Sequence, residues 1–417
     1  MTAEVVVMNA RGAALAADSA VTIHGKKVYN SADKLFPLTQ HHPVGVMVYG
    51  SGHFMNVPWE TIIKLFGNKL GDQQLDTLGE YADAFLEFLN RNEFVELTST
   101  RNEELFIKDF LHSKLNSIHH RCKSMHRDIY LEYQDEKTIE EIQDIYTQHV
   151  EGWLDELVAT YHKKELIPPF DETDFNLIGE KYIDTLMEYM KENFASFLIT
   201  KHLFKYALII TFNSLFKRFD EQYSGVVFVG FGNKELRPAT VTLQIERYIN
   251  GKLKYRKKSK ESGQVEVDNL GYIFGLAQSD MVISFMTGIH EKMEDSLLAH
   301  LEENLKQIPN TLTENLKDHF KADTSFEGVE EAMHKELIKL YGEFHQKLYH
   351  FKQKEFIAPI MDIVGALPTI ELAEMAEVLV NMTSFKKKIS ESLETVGGPI
   401  DVAIITKYDG FTWIKHK

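Results

Sequence analysis

Three residues near the start of the chain could do chemistry by type and spacing: Thr2, Asp18 and Lys34. An initiator methionine is commonly removed when the next residue is small, so Thr2 could become the terminal residue. It would then join a hydroxyl nucleophile to a free amine on one residue. Such an amine titrates at about 7.7–8.0 and can accept a proton near neutral pH. Asp18 ends the apolar run Leu15-Ala16-Ala17, and Lys34 opens a strand-like run after Ser31-Ala32-Asp33. A lysine beside a terminal amine lowers the amine's pKa by like-charge repulsion. An aspartate would hold that lysine charged and oriented. Singly, each residue has an ordinary explanation. Any small residue at position 2 gives the same processing, and strand-end charges are usually solvated.

The elements that must position these residues are mostly short strands. Residues 4–8 and 13–17 flank the turn Asn9-Ala10-Arg11-Gly12, a hairpin signature. Residues 34–38 and 44–49 form a second pair, followed by Gly50-Ser51-Gly52 and a helical pattern over 57–66. From about 75 to 219 the pattern is helical. Leu75, Leu78, Ala82, Phe85, Leu86 and Leu89 recur at three- and four-residue steps, the spacing of one buried face. Thr100 with Glu103 has the form of a capping box. Pro168-Pro169 breaks the block.

Strands return at 225–230, 240–248, 252–257 and 264–267, with Asn250-Gly251 as a hairpin turn. Helices resume over about 280–390, punctuated by Pro309, Pro359 and Pro368. A last hairpin spans 401–406 and 411–415. The order strands, helices, strands, helices, strands fits two antiparallel sheets packed face to face with helices outside. That is an α+β, four-layer αββα sandwich, although periodicity leaves other α+β folds open.

Composition narrows the function classes. The chain has 417 residues, 44% of them apolar, enough to bury a sizeable core. Lysine and arginine total 46 against 62 acids, a formal charge of −16. That balance argues against a nucleic-acid coat, which needs concentrated positive charge. Cys122 is the one cysteine, so no internal disulfide or cysteine-based zinc site can form. The most apolar stretch, 194–216, is interrupted by Lys201, His202 and Lys205, which suits a buried helix better than a bilayer span. The N-terminus has no positive n-region or long apolar h-region, so a cytoplasmic protein is expected.

Taken together, the motifs resemble the proteasome β-subunit and the HslV-like peptidase, N-terminal-nucleophile hydrolases. Counted from Thr2, Asp18 and Lys34 fall at that family's aspartate and lysine spacings. Ala16-Ala17-Asp18-Ser19 resembles its AADS-type element, and Val48-Tyr49-Gly50-Ser51-Gly52 its oxyanion-hole segment. Thr395-Val396-Gly397-Gly398-Pro399-Ile400-Asp401 resembles the entry to its last sheet strands. The resemblance covers roughly 1–66, 225–275 and 369–417. It implies that Thr2 Oγ attacks a peptide or amide carbonyl, its amine takes the proton, Lys34 tunes the amine and Asp18 anchors Lys34. The Gly50 N–H would stabilise the oxyanion, and water would hydrolyse the acyl-enzyme. Val21, Ala32 and Val48 fall at family pocket positions. Thr22, Gly50 and Gly52 fall where the family pairs its backbone with an extended peptide.

The sequence also departs from the family. Only Ser279 is available for an accessory serine, in Gly275-Leu276-Ala277-Gln278-Ser279. Leu393 and Val396 stand at two supporting polar places, with Glu394 one residue off. The two helical blocks exceed the family's lengths. They would block standard ring stacking or form a surface for a homo-oligomer or partner protein. The implied division is 1–66, the N-terminal part of the sandwich; 67–222, a helical insertion; 223–275, middle strands; 276–367, a second helical region; and 368–417, the C-terminal helix and last strands.

Other signals are weaker. His112, His119, His120, Cys122 and His126 cluster on one helix, and surface histidines explain them better than a metal site. His290-Glu291 lacks a second histidine at the metalloprotease step, and Gly230-Phe231-Gly232 lacks the third glycine of a dinucleotide fingerprint. The basic stretch 252–260 reads as a charged strand edge. The expectation is a threonine peptidase without metal or cofactor, acting on protein or peptide, and binding neither nucleic acid nor membrane. The alternatives are a non-catalytic assembly subunit and a helical interaction module on an inactive scaffold.

Overall fold

Asn9 sets the first turn. Its side-chain oxygen accepts the Arg11 N–H at 2.8 Å, and its amide nitrogen donates to Val364 O and Leu367 O, both at 2.8 Å. The first contact closes an Asx turn. The other two tie the hairpin to a helix far along the chain. The computed structural model describes residues 2–23, 27–29, 32–91, 94, 100–220, 222–320, 327–389 and 397–417.

The chain begins with strands β1 (Ala3–Asn9), β2 (Gly12–Asp18), β3 (Val21–Ile23), β4 (Lys27–Tyr29), β5 (Leu35–Pro37) and β6 (Val44–Gly50). The two-residue strands β7 (His53–Phe54) and β8 (Val57–Pro58) lead into helices α1 (Trp59–Leu70) and α2 (Leu78–Leu89). A helical block follows: α3 (Thr100–Tyr133), α4 (Ile139–His162), α5 (Glu172–Asn193) and α6 (Leu203–Lys217). Then come β9 (Ser224–Gly230), β10 (Ala239–Ile249), β11 (Lys252–Lys257), β12 (Gly263–Gln264) and β13 (Gly271–Ala277). The second block holds α7 (Asp280–Thr287), α8 (Glu291–Phe320), α9 (Glu327–Lys352), α10 (Ala358–Ala366) and α11 (Thr369–Ile389). Strands β14 (Ile400–Thr406) and β15 (Gly410–Lys415) end it.

The architecture is mixed α/β. One antiparallel sheet runs β13-β1-β2-β14-β15, and the other runs β11-β10-β9-β6-β5 with β12 paired to β10. Every residue of β1 and β2 is buried, and both faces of these strands are apolar apart from Glu4, Asn9 and Asp18. Val6, Met8, Leu15 and Ala403 of the first sheet share one apolar cluster with Met47, Val227 and Val229 of the second. The opposite face of the first sheet, through Val5, Val7 and Ala16, meets Leu372, Ala376 and Val380 of α11. The opposite face of the second, through Val46, Val48 and Phe228, meets Trp59, Ile62 and Phe66 of α1.

The first helical block has its own core, in which Leu111, Tyr146, Val150, Leu186 and Phe216 cluster around Ile249 at the end of β10. Lys254 fastens this block to the second sheet. Its fully buried Nζ donates to Leu215 O at 2.6 Å and Arg218 O at 2.7 Å, and pairs with Glu246 at 3.0 Å.

Several local expectations need correction. Strand β13 was not foreseen, and 264–267 contributes only the end of the two-residue β12. Pro309 lies inside α8 instead of ending a helix. A proline forfeits one ladder hydrogen bond, and thirty residues of helix continue through that local loss. The Thr100 side chain lies outside the described residues. The capping box expected there is therefore not described, while Glu103 accepts the N–H groups of Asn250 and Gly251 at 2.7 and 3.1 Å, steadying the β10–β11 turn. That turn is as read from the sequence, with φ of 53° and 69° at Asn250 and Gly251.

Candidate functional site

Asp18 is the last residue of β2, where the pleat carries its side chain to the end of the sheet. Asp18 is 1% exposed, and its carboxylate accepts four hydrogen bonds. Oδ1 accepts the Ala3 N–H at 2.9 Å and Lys34 Nζ at 2.7 Å. Oδ2 accepts the Ala20 N–H at 3.3 Å and the Gly397 N–H at 3.0 Å. Lys34 is itself buried, and its carbonyl accepts the Val48 N–H at 2.9 Å, fixing it to β6. The aspartate therefore links the residue after Thr2, a lysine from the other sheet's edge, and the entry to β14. This is not the solvated strand-end pair that either residue alone suggested.

Thr2 is also buried, at 5% exposure, and its carbonyl accepts the Gln278 N–H at 3.1 Å. That bond continues the β1–β13 ladder one step past Ala3↔Ala277. Ser279 follows directly and leads into α7, so the accessory serine lies just beyond the residue bonded to Thr2. Met1, Leu393, Glu394 and Val396 lie outside the described residues.

Gly50 closes β6 opposite Ser224, with φ of +81°. A Cβ there would come within 2.3 Å of Tyr223 O, so the backbone itself demands glycine. Gly50 lines a cleft of about 1130 Å³ with Ser51, His53, Tyr223, Asp220 and Arg247. Gly52 is exposed, with nothing within 4 Å of an added Cβ. Val48 packs among the residues facing α1. Ala32 is half-buried; its N–H donates to Ser19 O at 3.1 Å and its carbonyl accepts Lys417 Nζ at 2.5 Å. Val21 and Thr22 lie in β3, paired with Tyr29 and Val28 of β4; their side chains lie outside the described residues.

Two residues went unremarked in the sequence. Lys417 Nζ lies 3.0 Å from Asp33, 3.6 Å from Asp401 and 3.2 Å from Ser19 Oγ, clamping the segments that carry Asp18 and Lys34. Glu4 is 1% exposed, and among the described residues neither carboxylate oxygen has a hydrogen-bond partner. Burial pushes its pKa up to about 8; Lys34 opposes the rise and Asp18 adds to it. The signal was present: Glu4 is the one charge in the strand run Ala3-Glu4-Val5-Val6-Val7.

The histidines of α3 serve packing. His119 stacks on Phe194 at 4.6 Å, His126 meets Tyr146 at 5.2 Å, and Cys122 is buried. Among the described residues no group of three or more His, Cys, Asp or Glu could hold a metal ion. No helix among them is long and apolar enough to cross a membrane.

No family model matches the chain, and no curated protein does. Solved structures that match include Anbu proteins. A Gly-1 mutant of Anbu from Hyphomicrobium sp. strain MC1 aligns at 11% identity and TM-score 0.29, covering 100% of this chain and 86% of that one. Anbu from Yersinia bercovieri, described as an ancestral beta-subunit, aligns at 9% and 0.32, covering 99% and 88%. The helical assembly of the Anbu complex from Pseudomonas aeruginosa gives 8% and 0.32, covering 99% and 85%. The family named from the sequence is thereby corrected: these matches are Anbu proteins, one of them described as an ancestral beta-subunit, and none of the three is described as a proteasome subunit or an HslV-like peptidase. At these scores the likeness carries no argument about what the chain does.

Proposed function

We propose that this chain is an N-terminal threonine hydrolase that cleaves peptide or amide bonds through an acyl-enzyme on Thr2 once Met1 is removed. The observation that carries this reading is the buried Asp18 carboxylate, which holds Lys34 Nζ and the Ala3 N–H on the same oxygen. One atom thus couples a buried cation to the residue next to the nucleophile. The scaffold is read as a four-layer αββα sandwich, supported by the apolar cluster shared between the sheets and by the helices against each outer face.

The roles follow from chemistry. A free Thr2 amine, titrating at about 7.7–8.0 when unperturbed, takes the Oγ proton as Oγ attacks the carbonyl. The Lys34 charge favours the neutral, proton-accepting amine, and Asp18 fixes where that charge sits. The Gly50 N–H is assigned to the tetrahedral oxyanion, a contribution of about 3–4 kcal/mol in other hydrolases. Water then releases the acyl group. Ser279, beside the Gln278–Thr2 ladder bond, is assigned an accessory hydroxyl. Val21, Thr22, Ala32, Val48 and Gly52 are assigned to substrate contacts on the sequence reading alone.

The test is hydrolysis of a peptide library by the wild-type chain and by Thr2→Ala, after the N-terminal mass has established Met1 removal. Cleavage by the wild type and none by Thr2→Ala supports the reading. Equal cleavage by both places the chemistry elsewhere.

A second reading keeps the scaffold and drops the chemistry. It is favoured by the exposed apolar side chains Met293, Leu297, Ile338, Phe344 and Phe351 on α8 and α9, which suit a subunit or partner surface. On that reading the wild type cleaves nothing with Met1 removed.

A further inference from the structure

Glu4 occupies the face of β1 that looks between the sheets. Side chains alternate along a strand, so Glu4, Val6 and Met8 share a face, and Val6 and Met8 belong to the cluster that both sheets form. The residues opposite Glu4 are Ala17 on β2 and Leu276 on β13, members of the same cluster. Neither can donate a side-chain hydrogen bond. The carboxyl is thus set in an apolar gap, two residues along the chain from Thr2, with both oxygens unpartnered among the described residues.

The charged and titratable groups acting on this gap come from three directions. Lys34 precedes β5, Asp18 ends β2, and Tyr49 lies on β6, where its hydroxyl donates to Glu261 at 2.6 Å. Lys34 Nζ is committed to Asp18 at 2.7 Å. A carboxylate at position 4 would face this cation without bonding it and would repel Asp18. An unpaired buried carboxylate is costly, and the group avoids that cost by keeping its proton.

We propose that Glu4 is a proton-holding positioning residue for the Asp18–Lys34 pair: neutral, it leaves Lys34 to Asp18; ionised, it becomes a second carboxylate acting on the Lys34 ammonium. The proposal deepens the threonine-hydrolase reading and rests on it for its consequence. When Glu4 loses its proton to solvent, the added negative charge offsets the effect of Lys34 on the Thr2 amine. The amine becomes more basic, and attack by Thr2 slows on the alkaline side.

The experiment pairs infrared difference spectra with labelling kinetics on the full chain. In the wild type a protonated-carboxyl stretch should be present at pH 7, absent in Glu4→Gln, and lost with a midpoint near 8. In Lys34→Met that midpoint should rise by about one unit or more, because the opposing cation is gone. A Thr2-directed electrophile should label Glu4→Gln and wild type equally at pH 6 and label Glu4→Gln faster at pH 9. A purely structural role would change the rate equally at both. Absence of the stretch, or a midpoint unmoved by Lys34→Met, overturns the proposal. If no variant is labelled, the hydrolase reading fails, and the infrared midpoints still decide whether Glu4 responds to Lys34.

Discussion

Lys34 Nζ donates to Asp18 Oδ1 at 2.7 Å, with the lysine side chain 7% exposed and the aspartate side chain fully buried. The pair lies out of water, so its energetics are those of a buried ion pair. Removing one partner strands the other charge, which typically costs about 3–5 kcal/mol. Lys34→Met should therefore lower the unfolding free energy by about that much, well beyond the ±0.5 kcal/mol of an ordinary surface change. Urea titration measures it. A midpoint equal to wild type would mean that the pair does not form in solution. If Thr2 is the nucleophile, Lys34→Met should also lose most activity. The losses with Asp18→Asn should not add, because the residues act as one unit.

Glu4 gives stability a pH dependence of definite sign. In the folded chain its pKa stands at about 8, against an ordinary 4.5. Between those values the folded state binds more protons than the unfolded one. The contribution is therefore fully present below pH 4.5 and is lost as pH rises through 8. The loss is on the order of a few kcal/mol. Glu4→Gln lacks this titration, so its stability relative to wild type should grow from pH 5 to pH 8.5. A constant difference in urea midpoint across that range would show that Glu4 does not titrate in this window.

Gly50 and Gly52 separate backbone need from permissiveness. At Gly50 a Cβ meets Tyr223 O at 2.3 Å and φ is +81°; at Gly52 nothing lies within 4 Å. Gly50→Ala should destabilise by about 1–3 kcal/mol, and Gly52→Ala by a few tenths at most. Thermal unfolding of the two variants checks this, and equal shifts would contradict the strand-end geometry. Any activity lost in Gly50→Ala must be read against this structural cost.

Much of the fold was legible where turns and patterns are local. Asn9-Ala10-Arg11-Gly12 and Asn250-Gly251 marked hairpins because their chemistry acts within four residues. The spacing of Asp18 and Lys34 drew attention to two side chains that bond each other, and the same Asp18 oxygen accepts the N–H of Ala3, the residue after Thr2. Strand β13 was missed because Gly271-Tyr272-Ile273-Phe274-Gly275 carries two glycines, and its pairing with β1 spans some 270 residues of chain. The partners of Asp18 beyond Lys34, the Gly397 N–H among them, were likewise not legible, since backbone donors leave no mark on residue identity. The bonds from Glu103 to the distant Asn250-Gly251 turn were not legible either, since they are a tertiary outcome that local propensity does not encode.

Lys254 tests how firmly the first helical block is held. Its fully buried ammonium satisfies two carbonyls beyond the middle of α6 and pairs with Glu246, which Arg247 also contacts at 2.9 Å. Burial lowers its pKa, and Glu246 opposes that fall. Lys254→Met leaves Leu215 O and Arg218 O without this donor and should cost about 3 kcal/mol or more, softened by Arg247. Hydrogen exchange should quicken in 203–217 before the sheet strands. Uniform protection equal to wild type would show that the block does not depend on this lysine.

The most direct measurement is the mass of the N-terminal peptide after exposure to a threonine-directed electrophile. Threonine-hydrolase chemistry requires Met1 absent, one adduct on Thr2, no adduct in Thr2→Ala, and an unfolding temperature essentially unchanged by that substitution. Met1 absent with Thr2 unmodified, while Lys34 and Asp18 are intact and the chain is folded, would contradict it.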